Sequence, residues 1–344
     1  MRTIAVVNFK GGTGKTTTVV NLGAGLAQAG LRVLLIDADP HAGLTHTFNA
    51  PSSPSFAEVL TGRRPIGRAT LAVRERLHLL AASSTLQNRE FFDYVHVRKA
   101  FPQLLRPIAD RYDFVLIDCP APLTPLNAAI LATVDEIIIP SQVEYLSLLG
   151  LSQVLQTLAR IRFPNQPLHQ VTDLHISLIV PTFYDVRRRQ SRLLLASLRE
   201  TFGPRVAPPI RLNVRLSEAP AMHQTIFEYA PESVGAFDYR RLTEYFLQLP
   251  RGSWAAITLQ TPFVPLAIPA PSRPAPKSRP AQTSATSATI SAASHVPTPA
   301  PPPPPECPYC HAPLASLTAA GYLILACERC GYQKQKLLRD LHEP

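Results

Sequence analysis

The run Lys10-Gly11-Gly12-Thr13-Gly14-Lys15-Thr16-Thr17 constrains this chain more than any other stretch. A short apolar run, Ile4-Ala5-Val6-Val7, precedes it, and a helical pattern from Val19 to Ala29 follows. Strand, glycine-rich turn and helix N-terminus together make a phosphate cradle. Glycines let backbone N–H groups turn inward and approach phosphate closely. The helix N-terminus adds partial positive charge at the same point. In such a cradle Lys15 reaches the β- and γ-phosphates and the Thr16 hydroxyl ligates Mg²⁺. The competing reading is a plain glycine turn between core elements; agreement of motif and context favours nucleotide binding.

Further along, Arg32-Val33-Leu34-Leu35-Ile36 reads as a buried parallel strand. It ends at Asp37-Ala38-Asp39-Pro40, and ligands of open parallel sheets sit beyond the carboxyl ends of strands. Both carboxylates are therefore expected to face the phosphate loop. Phe114-Val115-Leu116-Ile117-Asp118 repeats the pattern, and an apolar run ending in Asp downstream of such a loop is the Walker B arrangement. Asp118 would hold Mg²⁺ through water. Residues 49–76 read as loops around a short helix, Phe56 to Thr61, followed by a strand from Leu77 to Ala81. Glu90 to Asp110 reads as a helix bent near Pro102 and Pro107. Strands are expected at Glu136 to Pro140 and Leu174 to Val180, helices at Tyr145 to Ile161 and Gly235 to Leu249, and a short edge element at Arg205 to Pro209. Cys119 has no activating partner in sequence and reads as a buried small residue.

Several ordered motifs carry a resemblance. Lys10 opens the phosphate loop, Asp37-Ala38-Asp39-Pro40 is of the form D-x-D-P, and Asp118-Cys119-Pro120-Ala121 is close to D-C-P-P. Glu144 to Leu151 and Arg211-Leu212-Asn213-Val214-Arg215-Leu216-Ser217-Glu218-Ala219-Pro220 complete the set. Over about residues 1–250 the chain resembles the deviant Walker A ATPases of the ParA/MinD family, ParA more closely than MinD. The resemblance implies a doubly wound, mostly parallel α/β sheet flanked by helices. It implies that Lys10 crosses a dimer interface to the partner's nucleotide. Asp39 would orient the attacking water, Asp37 would support the Mg²⁺ shell, and Asn213 would lie by the adenine. The sequence departs from the family at His41, where Gln is common, at Ala121, which replaces a proline, and at Leu212, which is inserted.

The same resemblance implies a homodimer formed on ATP binding that holds DNA without sequence preference. Arg187 and Arg215 lie in matching motifs, and Arg188, Arg189 and Arg192 extend the basic patch. Phosphate contacts of that kind give affinity and no sequence information; a solvated helix face is the competing reading. Slow hydrolysis, stimulated by a ParB-like protein, would release the DNA. The leading expectation is a partitioning or cargo-positioning ATPase. A MinD-like membrane-positioning ATPase would need a terminal amphipathic helix, and Lys334 to Arg339 is too short for one. The third reading is a nucleotide-switched regulatory scaffold acting through the cysteine-rich tail.

Charge and composition set the remaining bounds. The 344 residues carry a formal charge of +10, which permits a polyanionic partner. No run is long and apolar enough for a membrane span, and Met1-Arg2-Thr3 leads straight into the first strand. The expectation is a cytoplasmic, nucleoid-associated protein with reduced cysteines and no membrane partner. An N-terminal helical DNA-binding extension is not expected, nor operator binding. The ATPase domain is assigned to residues 1–250 and a disordered linker to 251–305, where fourteen prolines fall between Pro262 and Pro305. Cys307-Pro308-Tyr309-Cys310 and Cys327-Glu328-Arg329-Cys330, sixteen residues apart, match a four-thiolate Zn²⁺ site in a zinc ribbon at 306–334, with a hairpin between the pairs. Metal binding would supply much of the folding free energy of so small a module. Residues 335–344 are read as a basic tail.

Overall fold

The computed structural model describes residues 1–88, 92–171, 174–249, 306, 312–319, 322–326 and 333–337. The chain divides into two units, residues 1–273 and 274–344.

Seven strands build the sheet of the first unit: β1 (Arg2–Val6), β2 (Val33–Asp37), β3 (Leu71–Arg74), β4 (Leu77–Leu80), β5 (Phe114–Asp118), β6 (Glu136–Gln142) and β7 (Ile176–Thr182). They lie in the order β3-β4-β2-β5-β1-β6-β7. Every pairing is parallel except β3 with β4. Side chains alternate across a strand, so Ile4 and Val6 enter one core while Ala5 and Val7 enter the other. Val33 and Leu35 likewise part from Leu34 and Ile36. Both faces are covered, which is why these strands read as unbroken apolar runs.

The helices are α1 (Lys15–Gln28), α2 (Gly43–Thr47), α3 (Phe56–Leu60), α4 (Ile66–Ala69), α5 (Tyr94–Leu105), α6 (Pro125–Leu131), α7 (Tyr145–Arg162), α8 (Arg189–Phe202), α9 (Arg215–Glu218), α10 (Ile226–Tyr229) and α11 (Val234–Gln248). Residues of α1, α2, α10 and α11 pack on one face, and those of α3 to α8 on the other. The doubly wound, mostly parallel α/β sheet expected from the sequence is the observed fold.

Local differences have physical causes. The stretch read as loops contains α4 and the edge strand β3, whose residues are only partly buried. The helix expected from Glu90 starts at Tyr94, where Asp93 Oδ1 accepts from the N–H groups of Val95 and His96 at 2.9 Å. It gives way to a 3₁₀ turn, Arg106–Ile108, around Pro107. β7 lies at the sheet edge, and its Pro181 has no N–H to offer a further strand. The expected element at Arg205 to Pro209 is a single parallel bridge of Val206 to Ile179 after a 3₁₀ turn.

In the second unit β8 (Ala315–Ala319), β9 (Tyr322–Ala326) and β10 (Gln333–Leu337) form an antiparallel sheet in the order β10-β9-β8. The β8–β9 pair falls between the two C-x-x-C pairs, where a hairpin was expected. Cys307, Cys310, Cys327 and Cys330 lie outside the described residues, as does the Pro-rich stretch 251–305.

Candidate nucleotide-binding site

Strand register brings the acids together. Val6 pairs with Asp118 across β1 and β5, and Asp37 pairs with Asp118 across β2 and β5. Two carboxylates thus end neighbouring strands beside the loop that leaves β1. That loop is braced by three side chains. Asn8 Nδ2 donates to the Pro140 carbonyl at 2.8 Å, Gln142 Nε2 to the Gly12 carbonyl at 2.9 Å and Thr182 Oγ1 to the Thr13 carbonyl at 3.0 Å. Gly12 and Gly14 adopt left-handed backbone, with φ of 71° and 87°. Gly14 is the N-cap of α1, and no side chain caps that helix. A helix start without such a cap leaves its leading N–H groups available to an anion.

Lys15 opens α1 with its side chain buried, Nζ donating to the Lys10 carbonyl at 3.3 Å. Burial holds its pKa below the usual lysine value, against the opposing pull of Asp118 and Asp39. Thr16 Oγ1 donates to Asp118 Oδ2 at 2.7 Å, while Asp118 Oδ1 is buried with no hydrogen-bond partner. Burial, then the charge of Asp37, pushes Asp118 well above the usual carboxylate range. An orphaned carboxylate oxygen beside a threonine hydroxyl is an oxygen donor set of the kind a hard divalent cation takes. These residues fit Mg²⁺.

Asp37 sits beside Asp118 and is held by three hydrogen bonds. Its Oδ2 accepts from Thr45 N at 2.8 Å and Thr45 Oγ1 at 2.7 Å, and its Oδ1 accepts from Asp39 N at 3.1 Å. Both oxygens brace the turn after β2. Burial raises its pKa to about 6. Asp39 Oδ1 accepts from His41 N at 2.9 Å and from His41 Nδ1 at 2.8 Å. Lys10 folds back on its own chain, its Nζ donating to Gln142 Oε1 at 3.0 Å and Ser147 Oγ at 2.9 Å.

A cleft of about 390 Å³ adjoins the loop, lined by Gly14, Thr17, Phe183, Leu212, Asn213 and Tyr239 among others. Its far wall is held by Arg211, whose Nη2 and backbone N donate to buried Asp238 at 2.6 and 2.9 Å. Asn213 Oδ1 accepts from Arg215 N at 2.8 Å.

The basic residues are exposed, and two of their segments run side by side through a parallel bridge of Tyr184 to Arg211. Asp185 draws in Arg187 and Arg188 at 3.2 and 3.4 Å, and Arg215 pairs with Glu218 at 2.9 Å. Arg192 Nη1 donates to the Val186 carbonyl at 2.7 Å. Arg189 opens α8.

Comparison with known proteins decides the family. A family model described as an AAA domain matches residues 1–169. The chromosome-partitioning ATPase Soj of Thermus thermophilus is 38% identical over 246 residues, covering 71% of this chain and 94% of Soj. The chromosome partitioning protein ParA of Caulobacter vibrioides is 32% identical over 260 residues, covering 73% of this chain and 96% of ParA. The chain belongs to the ParA/MinD family of P-loop ATPases. Its fold superposes on the septum site-determining protein MinD of Pyrococcus horikoshii, solved with Mg-ADP, at a TM-score of 0.56 and 25% identity, covering 71% of this chain and 94% of MinD.

Within that family frame, sequence reasoning placed the loop and the three acids in one site. It missed the residues bracing them, Gln142, Ser147, Thr45 and Thr182, and the cleft walls Phe183 and Tyr239. Thr182 ends the buried strand β7 and Phe183 directly follows it, which is the signal that a strand tip bears on the ligand. Tyr239 carries no such signal, because it sits in the apolar stripe of α11. Among the described residues no group of three or more His, Cys, Asp and Glu side chains gathers as a metal cage, and no helix is long and apolar enough to cross a membrane.

Proposed function

We propose that this chain is an ATP-driven partitioning or positioning switch. One observation carries the reading: an uncapped glycine turn at α1 stands beside a buried lysine, a Thr16–Asp118 hydrogen bond and an orphaned Asp118 oxygen. Gly11 to Thr17 hold the triphosphate, Lys15 faces its β- and γ-phosphates, and Asn213 faces the base in the adjoining cleft. Thr16 and Asp118 hold Mg²⁺, with Asp37 fixing the turn that carries Asp39. When bound, the metal neutralises phosphate charge; Asp39 orients the attacking water.

Closure then pairs two copies, and Lys10 leaves Gln142 and Ser147 for the partner's nucleotide. The dimer binds DNA without sequence preference through Arg187, Arg188, Arg189, Arg192 and Arg215. Slow hydrolysis, stimulated by a ParB-like protein, returns single chains. Cys307, Cys310, Cys327 and Cys330 are assigned a structural Zn²⁺, on the spacing of the two pairs about an antiparallel β8–β9. The deciding experiment measures mass in solution and duplex-DNA binding with ADP and with a non-hydrolysable ATP analogue. Dimers that bind DNA only with the analogue are expected; a chain that stays single with both nucleotides overturns the reading. Bound zinc near one equivalent per chain is expected by metal analysis, and none removes the ribbon.

A further inference from the structure

Asp39 has a partner that the phosphate site does not require. Its carboxylate is 23% exposed, and Oδ1 is shared by two donors of one residue, the N–H and the Nδ1 of His41. A carboxylate oxygen accepts, so Nδ1 is the donor in this contact. The His41 side chain is 79% exposed. It borders a second cleft of about 240 Å³, between the turn after β2 and the loop after β5, with Gln87, Phe92, Pro120, Pro122 and Thr124. Among the described residues that border this cleft, no other titratable side chain occurs. On its other side Asp39 faces Lys15, Asp37 and Asp118.

We propose that His41 is a positioning residue for hydrolysis: it fixes the orientation of the Asp39 carboxylate through Nδ1, in addition to the backbone N–H that grips the same oxygen. The inference rests on the ATPase reading and adds to it a side chain that acts on the water-orienting group without touching substrate. Held by two donors on one oxygen, the carboxylate keeps its other oxygen aimed at the phosphate loop side.

The pair is tested by steady-state turnover of the full chain in three proteins: wild type, His41→Asn and His41→Ala. Asparagine places an uncharged N–H donor where Nδ1 stood. The site is exposed, so neither variant is expected to disturb folding. His41→Ala is expected to lower kcat about tenfold at unchanged KM, since misorientation costs rate rather than binding. His41→Asn is expected to recover most of that loss, again at unchanged KM. A His41→Asn protein as slow as His41→Ala, or a His41→Ala protein as fast as wild type, overturns the role of His41 while leaving the ATPase reading intact. A wild-type chain that binds the ATP analogue and turns over no ATP overturns both.

Discussion

Lys10 Nζ lies 2.9 Å from Ser147 Oγ within one chain, and Gln142 joins the two by accepting from Lys10 at 3.0 Å. The other end of the same amide holds the Gly12 carbonyl at 2.9 Å. A single side chain thus links the lysine to the curvature of the phosphate loop. These are hydrogen bonds to neutral groups, each worth only about 1.5–3 kcal/mol when one partner is charged. An anionic phosphate supplied by a second copy can outcompete them. Lys10→Ala is therefore expected to keep single-chain nucleotide affinity within about twofold and to abolish analogue-driven dimerisation, read by light scattering and by fluorescent-nucleotide titration.

The loop itself and the three acids were legible because they are contiguous motifs on strand ends, and strand register then forces them together. Other parts depend on contacts no local pattern reports. Asp37 ends its strand beside Asp118, but that its oxygens accept from Thr45, eight residues on, and from its own turn is carried by no local pattern. Arg211 sits in a recognisable motif, but its ion pair with Asp238 joins segments 27 residues apart. β3 escaped notice because a partly buried edge strand four residues long has too little alternation to count.

The glycines of the loop divide by backbone geometry. Gly14 has φ 87°, and a Cβ there would meet Thr182 Cγ2 at 3.6 Å, an ordinary contact. The cost of Gly14→Ala is thus conformational, about 1–2 kcal/mol. Gly11 has no left-handed φ, and a Cβ there would meet nothing within 4 Å. Gly11→Ala is expected to change stability by less than about 0.5 kcal/mol. Urea unfolding of the two variants without nucleotide separates them.

Acid and base affect the nucleotide-free fold through Asp37. Its folded pKa is raised to about 6, chiefly by burial, from an unfolded value near 3.9. The folded chain then binds more protons than the unfolded chain across that interval, so this site's contribution to stability falls as pH rises from about 4 to about 6. A loss on the order of 1–3 kcal/mol is expected. In Asp37→Asn one amide group must face a backbone N–H, a cost of about 1–3 kcal/mol that does not vary with pH. The variant is therefore less stable than wild type at pH 4, and the gap narrows by pH 7. A gap that widens instead would show that the buried carboxylate is stabilised by its charge.

Arg188, Arg189 and Arg192 gather at the N-terminus of α8, which has no acidic residue in its first turn. Cations are disfavoured there by the helix dipole, by about 0.3–1 kcal/mol each. Their placement carries a folding cost that a bound polyanion would offset. Stability and DNA affinity should accordingly move in opposite directions in Arg189→Glu. Removing a cation and adding an anion at the positive end of α8 is expected to raise stability by about 0.5–1 kcal/mol. Duplex binding with the ATP analogue should weaken for every sequence alike, and the slope of log affinity against log salt should shrink by about one. A solvated helix face predicts the stability gain with no change in binding. Thermal unfolding together with anisotropy titrations at several salt concentrations tells these outcomes apart.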